Sequence, residues 1–349
     1  MSNSRPPTVL LTNDDGPPGP ESPYIYGFRL WVKRIASSIY LSDAEKTGWN
    51  IKVVVPSSQK SWIGKSFQIK EVTQGQYYYP RGPDGLGETT SAARPFRDGE
   101  SEEWILLDST PATCVNIALY NLFPGEIDLV VSGPNLGRNT SAAFALSSGT
   151  IGASLSAALC HVRSIAVSYG TVQRPTPKEL FIPAYVLSTQ IVQKLWNNWG
   201  KDEGGLRDGE VDLYNVNLPM VPKLLSEEGM DICWTRIWRN EYGQLFRAPK
   251  GQRTQEHVSE AGPDSDKATQ TDQPSSSRSL TFVFAPDFKR LITPEQGSLP
   301  EGSDAWALSH NLASVTPLRA SFAEPSDASL ALQDEYEDKL VAGRMWNKL

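Results

Sequence analysis

Cysteine and histidine are scarce in this chain of 349 residues, with 3 of each. Cys114, Cys160 and Cys233 lie far apart without a C-x-x-C spacing. That excludes a Cys-based zinc site and reads as reduced, buried thiols of an intracellular protein. His161 follows a small-residue stretch, His257 sits in a polar tract and His310 lies on a predicted helix, and none is assigned a role. A basic excess is also missing. The net charge of −7 and a pI near 5.2 argue against binding a nucleic-acid polymer, though not against a local pocket for a phosphorylated small molecule. No apolar run approaches bilayer length, so no membrane partner is expected. The first apolar stretch, at Val9, is broken by Asn13-Asp14-Asp15 before it resembles a signal peptide. The expected compartment is cytoplasmic. The nucleus is an alternative, as is the peroxisome, since Asn347-Lys348-Leu349 is a poor variant of Ser-Lys-Leu.

What is present begins at Val9. Val9-Leu10-Leu11 suits a buried parallel strand. Asn13, two adjacent carboxylates and Gly16 follow it. Adjacent carboxylates at the end of a buried strand repel each other and are costly to desolvate. A hard divalent cation would remove that cost. The alternative is a polar turn with Asp15 or a neighbour as N-cap.

Residues 1–7 read as a flexible tail. Strands are predicted at 8–12, 51–55, 104–107, 127–131, 165–168, 212–217 and 280–285. Helices are predicted at 24–39, 110–122, 149–159, 178–199, 305–314 and 326–347. Residues 74–103 read as a β-hairpin region with exposed loops, 132–148 as a Gly/Asn/Ser-rich loop, and 249–280 as a disordered insertion. The alternation over 8–170 predicts an α/β fold, with a Rossmann-like, doubly wound, mostly parallel sheet covered by helices on both faces. One domain is expected over 8–320, with a helical extension over 321–349 that reaches a partner subunit.

Three polar clusters follow three of the predicted strands: Asn13–Gly16; Ser57–Ser61, with Gly64-Lys65-Ser66 beyond; and Ser132–Asn139. In a doubly wound sheet such loops converge on one edge. Two carboxylates with neutral Ser and Asn oxygens suit Mg²⁺ or Mn²⁺ and suit zinc poorly. A fourth element, Ser148-Gly149-Thr150, opens a helix. Its N–H groups suit phosphate, or it is a plain N-cap with close packing. Lys65 admits a phosphate contact or simple solvation. Trp238 and Tyr242, near Arg236 and Arg239, admit base stacking or ordinary packing.

These motifs, with Thr110–Val115, Asp128–Asn135 and Asn215-Val216-Asn217-Leu218-Pro219, resemble the SurE family of metal-dependent nucleotidases. The resemblance implies a Rossmann-like three-layer core, a swapped C-terminal arm, and a homodimer or tetramer. It implies one divalent ion per subunit, Mg²⁺ or Mn²⁺, on Asp14, Asp15, Ser61 and Asn135. It implies phosphate contacts from Asn139, Ser148, Gly149 and Thr150, and hydrolysis of nucleoside monophosphates, with some breadth toward other phosphomonoesters and polyphosphate. Pro134, Ser57, Trp62, Ser109 and Ser147 depart from the usual pattern, and none removes a proposed ligand. The added length resembles the fungal branch.

Asp14 and Asp15 are the expected catalytic carboxylates, which orient or deprotonate a metal-activated water. An aspartyl-phosphate route is the alternative. Two rival functions remain at this stage. One is a metal-dependent glycosyltransferase using sugar-nucleotides. The other is a catalytically weak nucleotide-sensing protein.

Overall fold

In the computed structural model, Val9, Leu10 and Leu11 are fully buried in the first strand, β1 (Thr8–Thr12). Their alternation decides which layer each joins, because successive strand side chains face opposite ways. Val9 and Leu11 pack with Phe28, Val32 and Tyr185 on one side. Leu10 packs with Cys114, Val115, Ala153 and Ala157 on the other. Truncating a Leu so placed costs about 2–5 kcal/mol. The structure describes residues 5–35, 48–171, 175–249, 280–286, 291, 299–323, 329–331 and 337–339.

Within those residues, α1 (Ile25–Ile35) leads to β2 (Asn50–Pro56), β3 (Gly75–Pro80), β4 (Gly87–Thr90) and β5 (Trp104–Leu107). Next come α2 (Pro111–Ile117), β6 (Leu129–Leu136), α3 (Ala142–Ser147), α4 (Gly149–Leu159) and β7 (Arg163–Thr171). The chain continues through α5 (Phe181–Asn197), β8 (Leu213–Met220), β9 (Ile232–Trp234), β10 (Phe246–Arg247), β11 (Val283–Phe284), α6 (Asp304–Ser309) and β12 (Ala313–Leu318). The last strands are β13 (Ser329–Ala331) and β14 (Glu337–Lys339).

The main sheet runs β4-β3-β5-β2-β1-β6-β7-β8-β12-β9. Its centre, β5 to β8, is parallel. α1 and α5 cover one face, and α2 and α4 the other. This is the doubly wound α/β fold expected from the alternation. The chain winds outward from β1 through β2 and β5, then returns to β6 on the other side of β1. The crevice at such a switch point is where open α/β sheets bind ligands.

Several elements differ from the sequence expectation. The 132–148 loop is a strand through Leu136 and then α3. The strand continues because the ladder shifts register between Ser132 and Asn135, a bulge that re-aims the side chains near it. The 305–314 helix stops at Ser309, after which the chain forms β12. The expected 326–347 helix is not found where that stretch is described, because β13 and β14 pair antiparallel there. Residues 36–39 of the expected first helix, and 250–279 of the expected insertion, lie outside the described residues. Arg5, in the expected tail, forms an ion pair with Asp128 at 2.7 Å.

Candidate active site

The loops after β1, β2 and β6 meet in one cleft that is partly open to solvent. It is lined by Asp14, Ser61, Asn135, Asn139 and Ser148, and by Trp62, Phe144 and Ser147. Five of the eight expected site residues therefore line one space. The other three, Asp15, Gly149 and Thr150, stand behind it.

The β1 turn is braced from within. The Asn13 side chain accepts from Gly16 N at 3.0 Å and donates to Gly16 O at 2.9 Å. Gly16 has φ +86°, a conformation open to glycine. Asp14 and Asp15 are 3% and 4% exposed. Asp15 Oδ2 accepts from Leu136 N at 2.7 Å, which ties the first loop to β6. Asp14 Oδ1 accepts from Thr150 Oγ1 at 2.5 Å.

Gly149 is where α4 meets Asp14. A Cβ on Gly149 would lie 2.7 Å from Asp14 Cβ, and one on Gly152 would lie 2.4 Å from Gly64 O. The helix N-terminus thus reaches the carboxylate only through residues without side chains. The amides of Gly149 and Thr150 favour the Asp14 anion, as does the Thr150 hydroxyl. Burial outweighs them and pushes the Asp14 carboxyl up. The expected phosphate-binding turn therefore divides. Ser148 lines the cleft and caps α4, accepting from Ile151 N at 3.1 Å, while Gly149 and Thr150 serve Asp14.

Each remaining polar side chain is held by one bond and keeps capacity to spare. Asn135 Nδ2 donates to Gly137 O at 3.1 Å, which leaves Oδ1 for the cleft. Ser61 Oγ accepts from Gln59 Nε2. Asn139 Nδ2 donates to Ser168 Oγ at 2.8 Å and keeps its second N–H.

Three residues unassigned from sequence hold Asn139 in place. Its backbone N–H donates to Asn217 Oδ1 at 2.7 Å, and its carbonyl accepts from Asn215 Nδ2 at 2.8 Å. Ser168 takes its side chain. The signal was present in the sequence, since Asn-x-Asn on a fully buried strand puts two amides on one face. Asp304 was also missed. Fully buried, it accepts from Ser141 N, Trp238 N and Ala305 N at 2.7–2.9 Å. Burial pushes its carboxyl up to about 6 against these hydrogen bonds.

The other candidates fall elsewhere. Lys65 Nζ sits over the Phe67 ring, 4.6 Å from its centroid. His310 stacks on Trp306, and His257 lies outside the described residues. The Trp238 backbone bonds Asp304, whereas Tyr242 lies beside Trp62 at the cleft.

The donor set is oxygen throughout. Among the described residues no cluster of three or more His, Cys, Asp or Glu exists, and no Lys or Arg forms an ion pair with Asp14. Two buried carboxylates and neutral oxygens fit a hard divalent ion and do not fit zinc. Among the described residues, no helix is long and apolar enough to cross a membrane.

Comparison with known proteins bears on the family and the fold. The sequence model of the survival protein SurE matches residues 9–244. The 5'-nucleotidase SurE of Archaeoglobus fulgidus is 32% identical over 67% of this chain and 73% of its own length. The 5'-nucleotidase SurE of Maridesulfovibrio salexigens is 25% identical over 70% of this chain and 79% of its own. A Saccharomyces cerevisiae protein named probable tubulin–tyrosine ligase PBY1 is 31% identical over 90% of this chain. That match agrees with the expected fungal likeness, and this chain spans 41% of the yeast protein's length. The crystal structure of the SurE protein from Aquifex aeolicus superposes with TM-score 0.53 at 20% identity, covering 91% of this chain and 95% of that one, a likeness of fold. By its matched residues and its fold, the chain belongs to the SurE family.

Proposed function

We propose that this chain is a divalent-metal-dependent phosphomonoesterase acting on nucleoside monophosphates. The observation that carries the reading is the convergence of Asp14, Ser61, Asn135, Asn139 and Ser148 from four chain segments in one cleft. Asp14 and Asp15 would hold one Mg²⁺ or Mn²⁺ with Asn135 Oδ1 and Ser61 Oγ. The bound ion supplies charge for a phosphoryl oxygen and acidity for a water.

The chain's own groups do the rest. Asn139, through its second N–H, and the Ser148 hydroxyl hold non-bridging phosphate oxygens. The N-terminus of α4 adds a positive end of its dipole. Thr150 and the amides of Gly149 and Thr150 fix the Asp14 carboxylate. Asp14, which lines the cleft, orients the attacking water.

The test is phosphate release from a panel of nucleoside monophosphates, glycerol phosphate and polyphosphate with Mg²⁺ or Mn²⁺. Release should stop with EDTA and return on adding metal. Tight nucleotide binding without release would make the chain a nucleotide sensor. Turnover that requires an acceptor sugar would make it a glycosyltransferase.

A further inference from the structure

The polar groups occupy one part of the cleft, and the remaining lining is Trp62, Phe144 and Ser147. Beside Asn139 and Ser148, these three are the cleft surface available to the ester group of a bound phosphate. Trp62 meets Phe144 with ring centroids 5.7 Å apart, Phe284 at 5.1 Å and Tyr242 at 6.3 Å. Phe284 belongs to the β10–β11 pair and packs on Phe246 at 5.5 Å. Trp62 has φ 62°, a left-handed conformation uncommon for a bulky residue and clustered at ligand sites. Ser61 and Trp62, adjacent in the chain, thereby both line the cleft, where extended neighbours would face apart.

Two further observations bear on what this wall takes. Tyr242 is 43% exposed, Phe284 42% and Phe246 55%, so apolar surface stays open at the cleft rim. The wall's hydroxyl protons are used within the wall. Ser147 Oγ, Tyr242 Oη and Ala143 O lie within hydrogen-bond reach of one another, and the two hydroxyl protons serve two of these three contacts at a time. Among the described residues, the one charged residue lining the cleft is Asp14, and it is acidic.

We propose that Trp62, with Phe144, Tyr242 and Phe284, is a leaving-group subsite for a flat, uncharged ring. This rests on the phosphomonoesterase reading and narrows it. Nucleoside and aryl monophosphates are favoured over small polyol phosphates. Polyphosphate is disfavoured, because among the described residues no lining cation meets its extra charge. Recognition by ring stacking, with the hydroxyl protons used within the wall, is tolerant of the base, so purine and pyrimidine nucleotides are both taken.

The experiment measures kcat and KM with metal for AMP, UMP, glycerol phosphate and tripolyphosphate, in wild type, Trp62→Ala, Trp62→Phe and Phe284→Ala. Wild type should favour AMP over glycerol phosphate by more than about tenfold in kcat/KM, the order expected of base stacking. Trp62→Ala should cut that preference about tenfold, chiefly through KM. Trp62→Phe should keep most of it. A merely structural role would lower both substrates together.

If Trp62→Ala does not fold, Phe284→Ala asks the same question from the β10–β11 side. An unchanged AMP preference in folded variants overturns the subsite. So does a Trp62→Ala variant whose only change is its oligomeric state, which would give the wall to a second copy of the chain. A wild type that releases phosphate from none of the four removes the phosphomonoesterase reading itself, a distinguishable failure.

Discussion

The polar side of the cleft comes from the ends of adjacent strands, whereas its aromatic side comes from segments as far apart in sequence as Trp62 and Phe284. Asp14, Asp15, Asn135, Asn139 and Ser148 are all at most 6% exposed. Each is fixed by a backbone or side-chain hydrogen bond. Trp62, Tyr242 and Phe284 are partly open and held by ring contacts. A buried, bonded group has one position and suits chemistry that depends on placement. A half-open ring contact tolerates different occupants. The division assigns rate to the polar side and selectivity to the aromatic side, and substitutions on either side can break it.

The largest effect is expected at Asp14. Asp14→Asn keeps the shape and removes the charge that holds the ion. Phosphate release at saturating Mg²⁺ or Mn²⁺ should fall at least about 10²-fold, for AMP and glycerol phosphate alike. Steady-state kinetics on both substrates checks this. Undiminished turnover would remove Asp14 from the mechanism, and a loss confined to AMP would erase the difference between the two sides.

Thr150→Val sharpens the polar side from behind. The hydroxyl that donates to Asp14 Oδ1 is lost and the volume is kept. Outer-shell partners of metal ligands typically contribute about 10–100-fold in metal affinity or activity. The metal concentration for half-maximal activity should rise about tenfold, with much of kcat recovered in excess metal. A metal titration reads this. A rise in substrate KM with unchanged metal dependence would return Thr150 to direct phosphate contact.

The same division explains what the sequence disclosed. The parallel core was legible because Val9-Leu10-Leu11 and its counterparts are short apolar runs bounded by polar turns. The oxygen donors were legible because their chemistry is local to those turns. α3 was hidden because it is six residues long, lies in a Gly/Asn/Ser-rich stretch and starts after Ser141 at φ 75° with no side-chain cap bond. Tyr242 was open to base stacking from the sequence, but its assembly with Trp62 and Phe284 was hidden for a different reason. No period or spacing relates Trp62 to Tyr242 or Phe284, and only the tertiary fold brings them together. Asn215 and Asn217 stood in plain view as a motif, but their role depends on the 139 loop crossing the end of β8.

Asp304 ties two segments of the aromatic side together and is expected to show the smallest effect on turnover. It ties Ser141, at the start of the helix carrying Phe144 and Ser147, to Trp238, in the segment leading to Tyr242. Its carboxyl is pushed up to about 6 from an ordinary 3.8. The folded protein therefore holds this proton more tightly than the unfolded chain does. The contribution is fully present below about pH 4, is lost as pH rises through about 6, and is flat above that. Its size is on the order of 2–3 kcal/mol. Denaturant unfolding of wild type and Asp304→Asn from pH 4 to 8 isolates it. The wild-type advantage should shrink between pH 4 and 6, while kcat at neutral pH changes little in the variant. An advantage that grows over that range would mean that the three N–H donors outweigh burial, and that Asp304 braces the wall as a carboxylate.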